Sequence, residues 1–248
     1  ANGTPGRFAA TASTAGVATV ATYTLDNHAT ATTLQASSTT RNAKAVVDTR
    51  YRSTLQARLV DSTGQPIEGA AVTFALAAAD NGATAVFLGG TGQATALTNA
   101  SGIAASPPLV ANKIAGSFTA TASAPGAPSS QYALENLASA PTAITAGAAD
   151  GQSVAVGTRF SIPLAVTVTD KNGNPVAGAT IKFTAPARGA SGRFAHKRSI
   201  ARVRTNAKGI AVAPSFTANG TVGGYAVVVT VRGRSLRAAV SLMNLPRG

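Results

Sequence analysis

From Ile162 the apolar residues Ile162, Leu164, Val166 and Val168 alternate with Pro163, Ala165, Thr167 and Thr169. A period of two puts one face in a core and the other in water, which predicts a strand. Asn172, Gly173, Asn174 and Pro175 then interrupt the pattern with residues that tolerate a positive φ and one that fixes it. Alternation resumes with Ile181 and Phe183 against Lys182 and Thr184, so a second strand follows a reversal. The same stretch stands 109 residues earlier, where Asp61, Gly64, Pro66, Gly69 and Phe74 match Asp170, Gly173, Pro175, Gly178 and Phe183. Tyr51, Leu55, Ala57 and Leu59 match Phe160, Leu164, Val166 and Val168 at the same offset, and Thr98, Asn99, Gly102 and Ile103 match Thr205, Asn206, Gly209 and Ile210. One unit is present twice, and a repeat of this kind decides the reading of the whole chain.

Part of a third copy precedes the two. Phe8 stands 110 residues before Phe118, which stands 107 before Tyr225, and Tyr23, Leu25 and Asn27 match Tyr132, Leu134 and Asn136. Residues 1–28 are therefore expected to be the C-terminal hairpin of an incomplete repeat, followed by full units over 29–138 and 139–248. The second unit is expected to open with Leu34 on a strand, to loosen through the Ala- and Gly-rich Asp80–Gly92, and to reach its successor through the short linker Ala138–Pro141. A lone hairpin has an apolar face and nothing to bury it against. Phe8, Val20 and Leu25 occupy positions read as core, so they are expected to be covered in an assembly. The cover is first a neighbouring part of a longer repeat protein, and otherwise the next domain or another chain. Ala1 is not an initiator Met and no basic-then-apolar leader follows it, so a processed or excised start is expected.

Composition narrows the class. Apolar residues make up 45% of the chain but aromatics only 5%, and no window shows helical spacing with proper caps. With turn signals at short intervals this predicts an all-β chain of sandwich domains, each of seven to nine strands, arranged as a rod. Cysteine is absent, which removes disulfides, zinc-thiolate sites and thiol nucleophiles. Apolar strand cores such as Ala226–Val229 are far short of the roughly 20 residues that a helical membrane span needs. In the Asp170 turn the bidentate acid of a calcium loop would fall at Ile181, so a plain turn is expected there.

The run Gly173–Ala179 with Phe183, followed by Thr205–Ala211 before another strand, resembles the bacterial Ig-like domains of the invasin and intimin type. The resemblance covers both full units and, more weakly, the first hairpin. It implies tandem Ig-like β-sandwiches of about 100 residues, serving as a stalk or display arm at a bacterial cell surface or outside the cell, and it carries over no catalytic residue. The family's lectin-like tip, rich in cysteine and aromatics, has no counterpart here.

Charge is the feature that exceeds the fold. Residues 29–138 hold six basic and five acidic residues, whereas 139–248 hold fourteen and two, a net of +12 out of the chain's +13. Arg193, Lys197, Arg198, Arg202 and Arg204 crowd one segment, and Arg232, Arg234 and Arg237 ring the last hairpin. A solubilising surface would account for charge alone, but the sister unit has the same design with almost no net charge. A polyanion is the matching partner: lipopolysaccharide, a teichoic or other acidic cell-surface glycan, nucleic acid, or an acidic face of another protein chain. Base-specific reading of nucleic acid is not expected, because Phe194 is the only aromatic in the cluster. The two histidines, His28 in a linker and His196 in a basic loop, have no nucleophile and carboxylate arranged around them, so neither catalysis nor a cofactor or metal is expected. Asn2, Asn99 and Asn219 each head an Asn-x-Ser/Thr triplet, which leaves glycosylation open. Three roles follow: an extracellular structural or adhesive protein; a filament subunit, and so a homopolymer, joined by strand addition through the first hairpin; or a binding module for acidic glycans.

Overall fold

The computed structural model describes residues 6–27 and 30–248. The chain forms two compact units, one comprising the residues up to Asn112 with Gly116–Asn136, the other Lys113–Ala115 with Leu137–Gly248. Apart from a 3-10 turn at Ala195–Lys197, every regular element among the described residues is a strand.

An antiparallel hairpin of β1 (Gly6–Ala12) and β2 (Ala21–Asn27) comes first. The first sandwich follows: β3 (Ala31–Ala36), β4 (Lys44–Val46), β5 (Gln56–Asp61), β6 (Ala71–Ala77), β7 (Ala85–Phe87), β8 (Gln93–Leu97), β9 (Ile103–Ala105), β10 (Leu109–Ala111), β11 (Gly116–Ala124) and β12 (Ala127–Leu137). The second repeats it: β13 (Ala143–Ala146), β14 (Gln152–Ala155), β15 (Ala165–Thr169), β16 (Thr180–Thr184), β17 (Gly192–Phe194), β18 (Ile200–Arg204), β19 (Ile210–Val212), β20 (Phe216–Ala218), β21 (Gly223–Val231) and β22 (Arg237–Leu245). The sheet orders are the same in both: β4-β12-β11-β6-β8, β3-β5-β9 and β7-β10 in the first, β14-β22-β21-β16-β18, β13-β15-β19 and β17-β20 in the second.

Inward residues of the sheets meet in one core per unit. Leu59, Val72 and Phe74 are buried in the first, and Val168, Ile181 and Phe183 take the equivalent places in the second. Each such side chain gives about 1.5–3 kcal/mol of burial free energy. The turns are repeated as closely. Asn99 Oδ1 accepts from the amides of Ser101 and Ile103, and Asn206 Oδ1 from those of Lys208 and Ile210. Gly102 and Gly209 close these turns at φ 72° and 71°, where a Cβ would lie 2.5 Å from the carbonyl oxygen of Leu59 or Val168.

Three sequence expectations need correction. Each sandwich has ten strands rather than seven to nine, because three-residue strands such as β7 and β10 are too short to show alternation. The stretch Asp80–Gly92 is not loose, since it contains β7 and buries Phe87. Ile162 lies outside β15 and is exposed, for its backbone N–H and C=O are bound by the side-chain amide of Gln152, and Pro163 has no N–H to give a ladder.

Candidate functional site

In the second unit the buried pair Ile181 and Phe183 turns Lys182 to the outer face of the five-stranded sheet. Register then sets its neighbours. Lys182 lies opposite Arg202 on β18 and Thr230 on β21, and Thr230 lies opposite Arg237 on β22. One row across four strands thus reads Arg202, Lys182, Thr230, Arg237, spanning about 14 Å at three strand spacings. Two residues along, Arg204 lies opposite Thr180, whose carbonyl accepts from the amide of Arg232. Thr180, Lys182, Arg202, Thr230 and Arg232 line a shallow concavity of about 410 Å³. Among the described residues none of these cations pairs with an acid; the ion pairs Arg7–Asp26 and Lys44–Glu135 lie elsewhere. Like charges directly opposed across strands destabilise a sheet.

The sister unit places neutral groups at these positions. Thr73 and Thr95 stand opposite each other where Lys182 and Arg202 do, their hydroxyls 3.0 Å apart in a hydrogen bond, and Leu97 stands in the place of Arg204. The difference extends into the loop after β17. The Phe87 amide donates to Thr91 O at 2.8 Å and the Phe194 amide to Arg198 O at 2.8 Å, so both loops are one turn. In the first unit its centre is Gly89-Gly90, with φ 114° and 85°; in the second it is His196-Lys197, with φ 58° and 57°. A side chain in the left-handed region costs on the order of 1–2 kcal/mol. His196, Arg198 and Arg202 line a second concavity of about 380 Å³, so Arg202 joins the loop to the sheet face.

The eight cations named from sequence therefore separate. Arg202, Arg204, Arg232 and Arg237 come together on the sheet, and Lys197 and Arg198 stand beside them in the loop. Arg193 sits on β17, paired with β20 in a different sheet, and Arg234 lies in the turn between β21 and β22. Lys182 was missed. Its signal was present in the alternation, as the outward residue between Ile181 and Phe183, but its place opposite Arg202 needs the strand register.

The first hairpin has the register of the last two strands of each sandwich: Gly6 faces Asn27 as Gly116 faces Asn136 and Gly223 faces Asn244. Phe8 and Leu25 face each other at 45% and 44% exposure, while their equivalents Phe118 and Leu134 are 4% and 1% exposed. Val20 is different. It precedes β2 and aligns with the exposed Ser129, so the third position that a completed sandwich would bury is Tyr23, the equivalent of the buried Tyr132.

Other polar groups serve the fold. The Asp170 carboxylate is buried, which pulls its pKa upward, but the Asn174 side chain and the amides of Ser139, Asn174 and Asn172 donate to it and hold it below the ordinary carboxylate value. Asp61 is held low as well, first by the Thr63 hydroxyl and then by the Gln65 amide. Asn219 is engaged through both ends of its amide, accepting from Ser191, Thr221 and Asn244 and donating to Gly189 O, while Asn99 is exposed. Asn2 and His28 lie outside the described residues. No three His, Cys, Asp or Glu side chains cluster among the described residues.

No family model matches the chain, and no curated protein sequence does. Solved structures do. InvD of Yersinia pseudotuberculosis aligns over 87% of this chain and 57% of its own, at 18% identity and a TM-score of 0.54. The D0-D1 domain of intimin aligns over 87% and 98% at 21% identity, with a TM-score of 0.32, and Y. pseudotuberculosis adhesin InvE over 87% and 60% at 15% and 0.37. The chain spans little more than half of InvD. What this likeness establishes is the fold: the chain is built of Ig-like β-sandwiches, similar in structure to those of InvD.

Proposed function

We propose that this chain is a display segment of an adhesive protein at a bacterial cell surface, with a mechanical and binding role and no catalytic step. The observation that carries this reading is the contrast between scaffold and surface. Two sandwiches repeat sheet order, core positions and turns, while the outward positions on the same strands change from Thr73 and Thr95 to Lys182 and Arg202. A repeated scaffold with a varied exterior suits tandem presentation. The fold shared with InvD is consistent with it. Intact cells of the producing organism, probed with an antibody to the second unit and with external protease, test the proposal. Labelling and cleavage before lysis are expected; access only after lysis would refute display.

The exposed hairpin favours a second reading, assembly by strand addition. Phe8, Tyr23 and Leu25 present one half of a core; strands like β4 and β6 would pair with the hairpin's edges, and a sheet like β3-β5-β9 would cover its apolar face. Both sandwiches of this chain already hold their own last hairpins, β11–β12 and β21–β22, so a second copy would accept β1–β2 only by releasing one. The complement is an Ig-like unit whose last hairpin is absent or displaced. Deleting residues 1–28 should dissolve any assembly the parent forms and leave both sandwiches folded. A parent that sediments as the same monomer as the deletion would exclude a homopolymer built this way.

A further inference from the structure

We propose that the outer face of the sheet β14-β22-β21-β16-β18 is a binding site for an acidic polysaccharide, held by Lys182, Arg202, Arg204, Arg232 and Arg237. The site is a property of the second unit's surface and does not depend on the display reading.

Two independent features of the sequence converge on it. The first is the pair of cation rows, in which Lys182 directly opposes Arg202 while the sister sheet places a Thr–Thr hydrogen bond at the same rung. A sheet that needed only solubility would separate such charges or pair them with acids; both acids of this unit are instead engaged by backbone amides, Asp150 by Ser241 and Asp170 by Ser139, Asn172 and Asn174. An anion lying between the rows converts the repulsion into attraction. The second is the adjoining loop, where His196-Lys197 takes the left-handed conformation that Gly89-Gly90 adopts without strain. Strain tolerated in a turn that glycine closes equally well points to a use for the side chains. Arg202 lines the concavities on both sides, so loop and sheet form one continuous basic surface.

The chemistry of the face selects the ligand. Four of its five cations are arginines, whose planar forks bind carboxylate and sulfate oxygens in pairs. Thr180 and Thr230 stand between them with hydroxyls that can donate to anion oxygens or exchange hydrogen bonds with sugar hydroxyls. Stacking platforms for bases are missing from it: Phe160, Phe183, Phe194 and Phe216 are all buried in the core. Repeating acidic groups on a sugar chain would meet successive cations along a row about 14 Å long.

The test uses the full chain, with heparin as the probe. One triple variant restores the sister unit's residues, Lys182→Thr, Arg202→Thr and Arg204→Leu. Its control removes three cations from elsewhere in the same unit, Arg159→Gln, Lys171→Thr and Lys208→Thr. The parent should bind heparin with an affinity that falls steeply with salt. The first triple should lose binding by about tenfold or more at physiological salt and show a shallower salt dependence, as expected when direct anion contacts are removed; the control should stay within about threefold. Thermal melts check folding, and the single Arg202→Thr variant, expected to weaken binding by several-fold, stands in if the triple does not fold. Equal losses from the two triples would reduce the effect to net charge and overturn the site. Tighter binding of single-stranded DNA than of heparin at matched charge would overturn the assignment to a polysaccharide.

Discussion

Replacing His196-Lys197 by Gly-Gly should make the second unit more stable. The turn is already drawn by the molecule in both forms: each is closed by an amide-to-carbonyl bond of 2.8 Å, Phe87 to Thr91 or Phe194 to Arg198, with Gly89-Gly90 at the centre of one and His196-Lys197 at the centre of the other. With φ of 58° and 57°, His196 and Lys197 each carry a left-handed penalty of about 1–2 kcal/mol. Glycine removes that penalty but gives the unfolded chain more freedom, a loss of about 0.4–1 kcal/mol per position. The net gain is therefore about 0.5–1 kcal/mol at each position and about 1–2 kcal/mol for the double variant, by difference of those two terms. Urea denaturation followed by a probe specific to the second unit measures it, with the first unit's transition as an internal reference. The midpoint should rise without a change in slope. Single variants should each give about half of the gain. A double variant no more stable than the parent would show that His196 and Lys197 sit in this conformation without strain, and would remove one of the two supports for a functional loop. If the gain appears together with a modest weakening of heparin binding, the loop is a place where stability has been given up for contact.

Two further outcomes follow from comparing the units. The Tyr51 hydroxyl donates to Asn136 Oδ1 at 2.6 Å, but the equivalent of Tyr51 is Phe160, and no group among the described residues donates to the buried Asn244 Oδ1. Phe160→Tyr should therefore stabilise the second unit by about 1 kcal/mol and Tyr51→Phe should destabilise the first by about 1–3 kcal/mol, both read as urea midpoints; a destabilising Phe160→Tyr would refute the equivalence. Asp170 has a folded pKa below its unfolded value, so its contribution is present above about pH 4 and lost as pH falls through the folded value. Asp170→Asn should flatten the acid limb of the second unit's stability curve, and an unchanged limb would place the acid sensitivity elsewhere.

The fold was legible because the code for it is local and written twice. Alternation around Val168 and Phe183, the turn residues Asp170–Pro175 and the Asn206–Gly209 reversal each fix φ, ψ or burial within a few positions, and the 109-residue echo turns weak local signals into a consistent one. Strands β7 and β17 escaped notice because three residues cannot display a period. Their place in the core comes from partners far away in sequence, as Phe87 lies opposite Leu109 of β10.

The site was legible only in outline, and Lys182 shows why. Counting charges along the chain groups Arg193 with Arg202, which the structure puts in different sheets, and leaves Lys182 out, although it stands directly opposite Arg202. Sequence proximity measures a strand's own length; the neighbours that matter for a ligand lying across a sheet are one strand spacing away and about twenty residues distant in the chain. Register carries that information, and register is set by burial, which matches at the core positions of β6 and β16 in the two units. The alignment to the sister unit therefore supplies what charge counting lacks. Because Thr73 and Thr95 are paired across β6 and β8, the residues aligned with them must be paired across β16 and β18, and these are Lys182 and Arg202. The same reasoning replaces Val20 by Tyr23 in the first hairpin, since Val20 aligns with Ser129 on the water side and Tyr23 with the buried Tyr132. A repeat thus converts an otherwise non-local property, which residues share a face, into one that can be read from two aligned strings once either copy has been seen folded.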